Sequence, residues 1–173
     1  MHSPPTQEQL AMAPWMAAAR AEHGVAEQIG KGNAVRVLQY LASCKGPRSM
    51  LQIDSTPWCA AYVAWCLEQV HIASTDSLAA RSYLQYGDEI PQRDARYGDI
   101  VVLWRGMPLP SSVTNAPGHV GFLDRIVGEQ VLIMGGNQRG DRVSVQSYPL
   151  RRVLAFRRPS VADLALHDLM RRA

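Results

Sequence analysis

The chain has 173 residues, 47% of them hydrophobic and 19% charged, with a formal net charge of +3. Such a chain can bury one sizeable core, which excludes a disordered or fibrous polymer. The positive excess is too small by itself to mark a nucleic-acid binder, and no apolar run is long enough to cross a bilayer.

Residues 1–13 are expected to form a loose N-terminus. Trp15 to His23 has helical composition and stops at Gly24, a common helix-ending residue. Asn33 is placed to cap a second helix, in which Val35, Val37, Leu38 and Leu41 supply an apolar stripe. The run Thr56-Pro57-Trp58-Cys59 reads as the start of a third, with Thr56 as cap, Pro57 in the first helical position and Cys59 in the third. Tyr62, Trp65, Cys66 and Gln69 continue it to about Val70. A fourth helix is expected from Ser77 to Tyr86, closed by Gly87.

From Gly98 onward the pattern changes to short runs of strand formers at 99–104, 119–123, 130–134, 142–146 and 153–158. A loop rich in Pro, Ser and Asn, from Gly106 to Gly118, separates the first two. Strands in succession with tight turns imply an antiparallel sheet, covered on its open side by the helices, which makes the fold class α+β. Residues 160–173 read as an appended helix capped by Ser160, so the domain is expected to span 14–159.

Cys59 is the residue with most chemical promise. Backbone N–H groups at a helix start have no intrahelical partner, so they favour a thiolate there and can hold the oxyanion of an acyl-transfer transition state. The competing reading is a buried core cysteine. A disulfide to Cys66 is excluded, because seven residues of helix separate the two Cα atoms by roughly 10 Å.

His119 is the candidate base. It opens a strand, whereas His2, His23, His71 and His167 sit in termini or at helix ends, where nothing fixes a ring against a nucleophile. Asn137, ending the next strand, is the candidate orienting group. Its amide oxygen would accept the His119 Nδ1–H and leave Nε2 for the thiol proton. Gln138 and Asp124 are alternatives. Trp58, Trp104 and Gln138 are candidates for lining a substrate groove, although tryptophans beside a helix or strand are more often core. Asp99 is expected to hold a turn. No Cys-x-x-Cys or His-x-x-x-His spacing occurs, so neither a metal nor a cofactor is expected. The late arginines, among them Arg151, Arg152, Arg157 and Arg158, are expected to form a solvated face or to attract an anionic polymer weakly.

Trp58-Cys59-Ala60-Ala61-Tyr62-Val63, Tyr97-Gly98-Asp99-Ile100-Val101-Val102, Gly118-His119-Val120-Gly121-Phe122 and Gly135-Gly136-Asn137-Gln138 stand in the order seen in NlpC/P60 and CHAP cell-wall hydrolases. The chain resembles that superfamily over residues 14–159, and within it a phage- and bacteria-borne branch similar to the peptidoglycan amidase effectors of type VI secretion. The resemblance implies a papain-like fold with Cys59 as nucleophile, His119 as base and then acid, and Asn137 as orienting residue. It also implies hydrolysis of an amide bond in the peptidoglycan stem peptide or crossbridge through a thioester. The chain departs from the common pattern at Trp58, where many NlpC/P60 enzymes place Asp and many CHAP enzymes Gln, and at Gly135, where CHAP enzymes often have Glu.

The opening segment lacks a basic stretch followed by an apolar one, so synthesis in the cytoplasm without a cleaved leader is expected. Action would then fall on the wall or periplasm of a target bacterium. Further expectations are a monomer, a cognate immunity protein if the chain is an injected effector, and neither nucleic acid nor membrane as partner. A phage endolysin and a non-catalytic wall-binding module are the alternatives.

Overall fold

The computed structural model of the chain describes residues 6–160, 162–164 and 169. Its helices are α1 (Gln7–Met12), α2 (Trp15–Ala21), α3 (Val35–Ala42), α4 (Arg48–Leu51) and α5 (Cys59–Glu68). Its strands are β1 (Asp88–Ile90), β2 (Ile100–Trp104), β3 (Gly118–Val127), β4 (Gln130–Gln138), β5 (Arg142–Pro149) and β6 (Val153–Arg158). The strands form one sheet in the order β1-β6-β2-β3-β4-β5, antiparallel at every pairing. The α+β architecture expected from the sequence is the one observed.

Helix α5 is apolar on all sides because it is enclosed on all sides, by α2, α3, β3 and β4. Residues 59–64 of it are all buried. Its aromatic neighbours interlock: Tyr40 meets Trp58, Tyr62 and Trp65 at centroid distances of 5.6, 5.5 and 5.3 Å. The sheet is apolar on both faces. Ile100, Val102, Val120, Phe122 and Met134 join the helical core, while Val101, Leu103, Leu123, Val131, Ile133 and Phe156 pack into a second cluster. That double burial explains the unbroken apolar run at the start of β2.

The start of α5 differs from expectation. Trp58 occupies the N-cap and Cys59 is the first helical residue, while the Thr56 hydroxyl donates to the Met50 carbonyl instead of capping. Asn33 likewise caps nothing: Ala34 precedes α3, and Asn33 Oδ1 accepts the Asp54 N–H at 3.0 Å. The fourth expected helix is a 3₁₀ segment, Ala80–Gln85. Residues 7–12, expected to be loose, form α1 under a reciprocal cap between Thr6 and Gln9. In the tail, Ser160 and Asp163 cap each other, but 161, 165–168 and 170–173 lie outside the described residues, as do 1–5.

Two contacts fix α5 and β2 in place. A Cβ on Gly136 would lie 2.5 Å from the Trp58 ring and 2.7 Å from Tyr62 Cβ, so glycine is required for α5 to approach β4. Asp99, almost fully buried, accepts the Arg96 N–H at 2.8 Å and a two-pronged Arg158 at 2.7 and 2.9 Å. It holds the turn into β2, as the sequence suggested. Arg158 is thus committed to a buried partner, and Arg157 reaches Glu89, so these arginines do not form a free basic face.

Gly136→Ala should therefore destabilise the protein by about 2–3 kcal/mol, the usual cost of overpacking a core. Urea unfolding followed by circular dichroism measures it, and a change below about 0.5 kcal/mol would contradict the close approach.

Candidate active site

The β3–β4 ladder begins at Phe122 and Met134, so residues 118–121 have no β4 partner. Cys59, 5% exposed, sits at the start of α5, and the Val120 N–H lies close enough to its sulfur to favour the thiolate. The thiol lines a cleft of about 340 Å³ together with Pro57, Leu78, Arg105, Pro117 and Gly118. Cys44 and Cys66 are buried free thiols elsewhere in the core.

His119 follows Gly118 directly and is fully buried, opposite Leu103 of β2. A Cβ on Gly135 would lie 3.4 Å from His119 Nε2 and 3.3 Å from the Gln138 amide carbon, so Nε2 faces Gly135 and Gln138. That is the reverse of the ring orientation expected from the sequence, in which Nδ1 faces the orienting amide. Neither ring nitrogen has a hydrogen-bond partner among the described residues.

Asn137 does not stand beside the ring. It lies at φ +51°, in the left-handed region, at the register shift between Gly135 and Gln138. Its amide nitrogen donates to Glu27 Oε1 at 3.0 Å, the same oxygen that takes the Trp58 indole N–H at 2.8 Å. The bulge gives the position near His119 to Gln138, whose side chain favours the charged ring without reaching hydrogen-bond geometry. Gln138 is itself immobilised. Its amide nitrogen donates to the carbonyls of Ile133, Gly135 and Ser144, and its oxygen accepts the Tyr148 hydroxyl at 2.7 Å.

The remaining candidates separate in the same way. Trp58 is fully buried, packed against Gly136. Trp104 is half-buried at the end of β2, with Arg152 at 5.2 Å over its ring and its carbonyl accepting that guanidinium. Asp124 is taken by Arg20 at 2.9 Å and by Arg125. Among the described residues no group of three or more His, Cys, Asp and Glu is placed to hold a metal.

Four residues that sequence reasoning passed over shape the site. Tyr148 packs its ring 5.5 Å from that of His119. Arg152 lies 5.3 Å over Tyr148. Arg105 lines the cleft with Cys59. Arg81, fully buried, donates to the carbonyls of Leu109, Pro110, Val113 and Pro117, so the cleft-walling loop hangs on one guanidinium. Nothing in the spacing of the arginines distinguished these three.

Burial, with help from the Arg105 and Arg152 charges, pushes the His119 pKa down to about 3. Burial also raises that of Cys59, against the opposing pull of the Val120 N–H, Arg105 and the N–H groups of Ala60 and Cys59. Each group is therefore neutral by itself near pH 7.

No family model matches the sequence, and no curated protein does. Solved structures do share its shape. The P60 domain of an antigen from M. avium subspecies paratuberculosis superimposes with a TM-score of 0.53 at 16% identity, over 88% of this chain and 97% of that one. An NlpC/P60 family protein from Bacillus cereus gives 0.48 at 10% identity, over 91% of this chain but 41% of that one. The peptidoglycan hydrolase RipB from Mycobacterium tuberculosis gives 0.47 at 20% identity, over 90% and 68%. The P60 domain fixes the fold as the papain-like NlpC/P60 one.

His119 also makes stability depend on pH. Above about pH 6.5, its unfolded value, the ring is neutral in both states and contributes nothing. Between pH 6.5 and about 3 the unfolded chain takes up a proton that the folded chain refuses. Stability attributable to this site should therefore fall by up to about 1.4 kcal/mol per pH unit on acidification. His119→Gln should flatten the slope of unfolding free energy between pH 6.5 and 4.5; parallel slopes would show that the folded ring accepts protons.

Proposed function

We propose that the chain is a cysteine hydrolase of peptidoglycan amide bonds, an amidase or endopeptidase working through a thioester at Cys59. The observation that carries this reading is that Cys59, at the α5 start, and Gly118, the residue before His119, line one cleft, with the Val120 N–H close to the sulfur. The substrate class is supported by the four motifs, which resemble those of cell-wall hydrolases.

In the reaction, a scissile carbonyl entering the cleft meets the sulfur as the thiol proton passes to His119 Nδ1. The Sγ–C bond forms, and the carbonyl electrons move onto oxygen, where the N–H groups of Cys59, Ala60 and Val120 are the available donors. Collapse expels the amine, protonated by His119, and leaves the thioester. Water, deprotonated by His119, then attacks the thioester carbonyl; the Sγ–C bond breaks, the acyl group leaves as a carboxylic acid, and His119 returns its proton to the sulfur. Gln138, fixed by its own hydrogen bonds, takes the place beside the ring expected of Asn137 and orients its Nε2 side by packing.

The setting we favour is an antibacterial effector delivered to the wall of a competitor and neutralised in the producer by an immunity protein. Expression in the periplasm of a sensitive host, with and without the small secreted product of a neighbouring reading frame, tests it: rescue from lysis supports an effector, and lysis in both supports a lysin.

Purified peptidoglycan incubated with the protein should gain new amine termini, measured by fluorodinitrobenzene labelling. Cys59→Ala should release none. His119→Gln should lower kcat/KM by about 10³, the scale of a lost general base. No release by the wild type would support a non-catalytic wall-binding module instead.

A further inference from the structure

We propose that Arg105 is a carboxylate-recognition residue: it binds an anionic group that the substrate carries close to the scissile carbonyl, and so selects acidic over neutral peptides. In the part that concerns turnover, this deepens the hydrolase reading above and rests on it.

The residues lining the Cys59 cleft include one charged side chain, that of Arg105, and no carboxylate. Other arginines near the site are already engaged. Arg81 is buried among four carbonyls, Arg152 holds the Trp104 carbonyl between two aromatic rings, and Arg158 is locked to Asp99. Arg105, by contrast, is exposed, and among the described residues its guanidinium has neither an ion pair nor a hydrogen bond. Its backbone is nevertheless anchored, since the Arg105 N–H donates to the Pro117 carbonyl at 3.3 Å across the mouth of the loop.

A planar guanidinium so placed presents a fork of donors suited to a carboxylate. Its field reaches Cys59, His119 and Tyr148, which puts the charge within working range of the reacting atoms. A substrate carboxylate paired with Arg105 would also offset the cation that opposes protonation of His119. Recognition of the acidic group and readiness of the base would then be linked.

Two alkylating reagents isolate the effect without needing a substrate. Iodoacetate and iodoacetamide form the same S–C bond and expel the same iodide, but only iodoacetate carries a carboxylate. Site-resolved mass spectrometry of the Cys59 peptide gives both rates, and their ratio cancels any change in thiolate fraction. Arg105→Gln should lower the iodoacetate-to-iodoacetamide ratio about fivefold to tenfold, and Arg105→Lys should keep more than half of it. An unchanged ratio in Arg105→Gln overturns the proposal.

Muropeptides offered before and after carbodiimide-driven amidation of their carboxylates supply the second arm. The wild type should lose about tenfold in kcat/KM on amidation. Arg105→Gln should lose as much on the native material, mainly through KM, and should be indifferent to amidation. A loss confined to kcat would move Arg105 into the chemical step and overturn the recognition role. Failure of the wild type to cut either material would defeat the hydrolase reading, while the alkylation ratio would still decide the anion site.

Discussion

The seating of the Trp58 indole on Gly136 is the contact on which the site depends. Only a residue without a side chain lets the α5 start come this close to β4. The indole N–H then meets Glu27, which also receives the Asn137 amide, so one carboxylate joins the helix cap to the bulge in β4. The same bulge turns Gln138 toward His119. Helix position, bulge geometry and ring orientation are thus coupled through a single packed contact. The Trp58 position serves packing.

Burial gives this pair its electrostatic character. A thiol and an imidazole that are each neutral cost little to keep in an apolar wall, whereas a permanent ion pair there would have to repay a large desolvation cost. The protein keeps both neutral and places the N–H groups of Val120, Ala60 and Cys59 near the sulfur. Burial keeps His119 neutral, with the charges of Arg105 and Arg152 acting in the same direction.

Much of this was legible in the sequence. The strand at 99–104 was readable from its run of strand formers, the Cys59 helix from residues at helical steps, and the order of cysteine, histidine and Gly-Gly-Asn-Gln pointed to one site. The local caps were less readable, because Thr56 and Asn33 have the right side chains but are drawn to partners outside their helices, Met50 and Asp54. Asn137 was misplaced for a definite reason. Strand alternation assigns faces by parity, and a left-handed residue at a bulge breaks the parity one residue before Gln138. Tyr148, Arg105, Arg152 and Arg81 enter through long-range packing, which no local pattern encodes. The three-residue β1, polar and at the sheet edge, carries too little pattern to be read at all.

The central claim is that Cys59 forms a covalent acyl intermediate while His119 carries its proton. Acid quenching of a reaction with soluble muropeptides, followed by mass spectrometry of the Cys59 peptide, tests it most directly. The account predicts an acyl adduct on Cys59 that hydroxylamine removes, absent from Cys59→Ala. Continued product release by protein fully alkylated at Cys59 would contradict it.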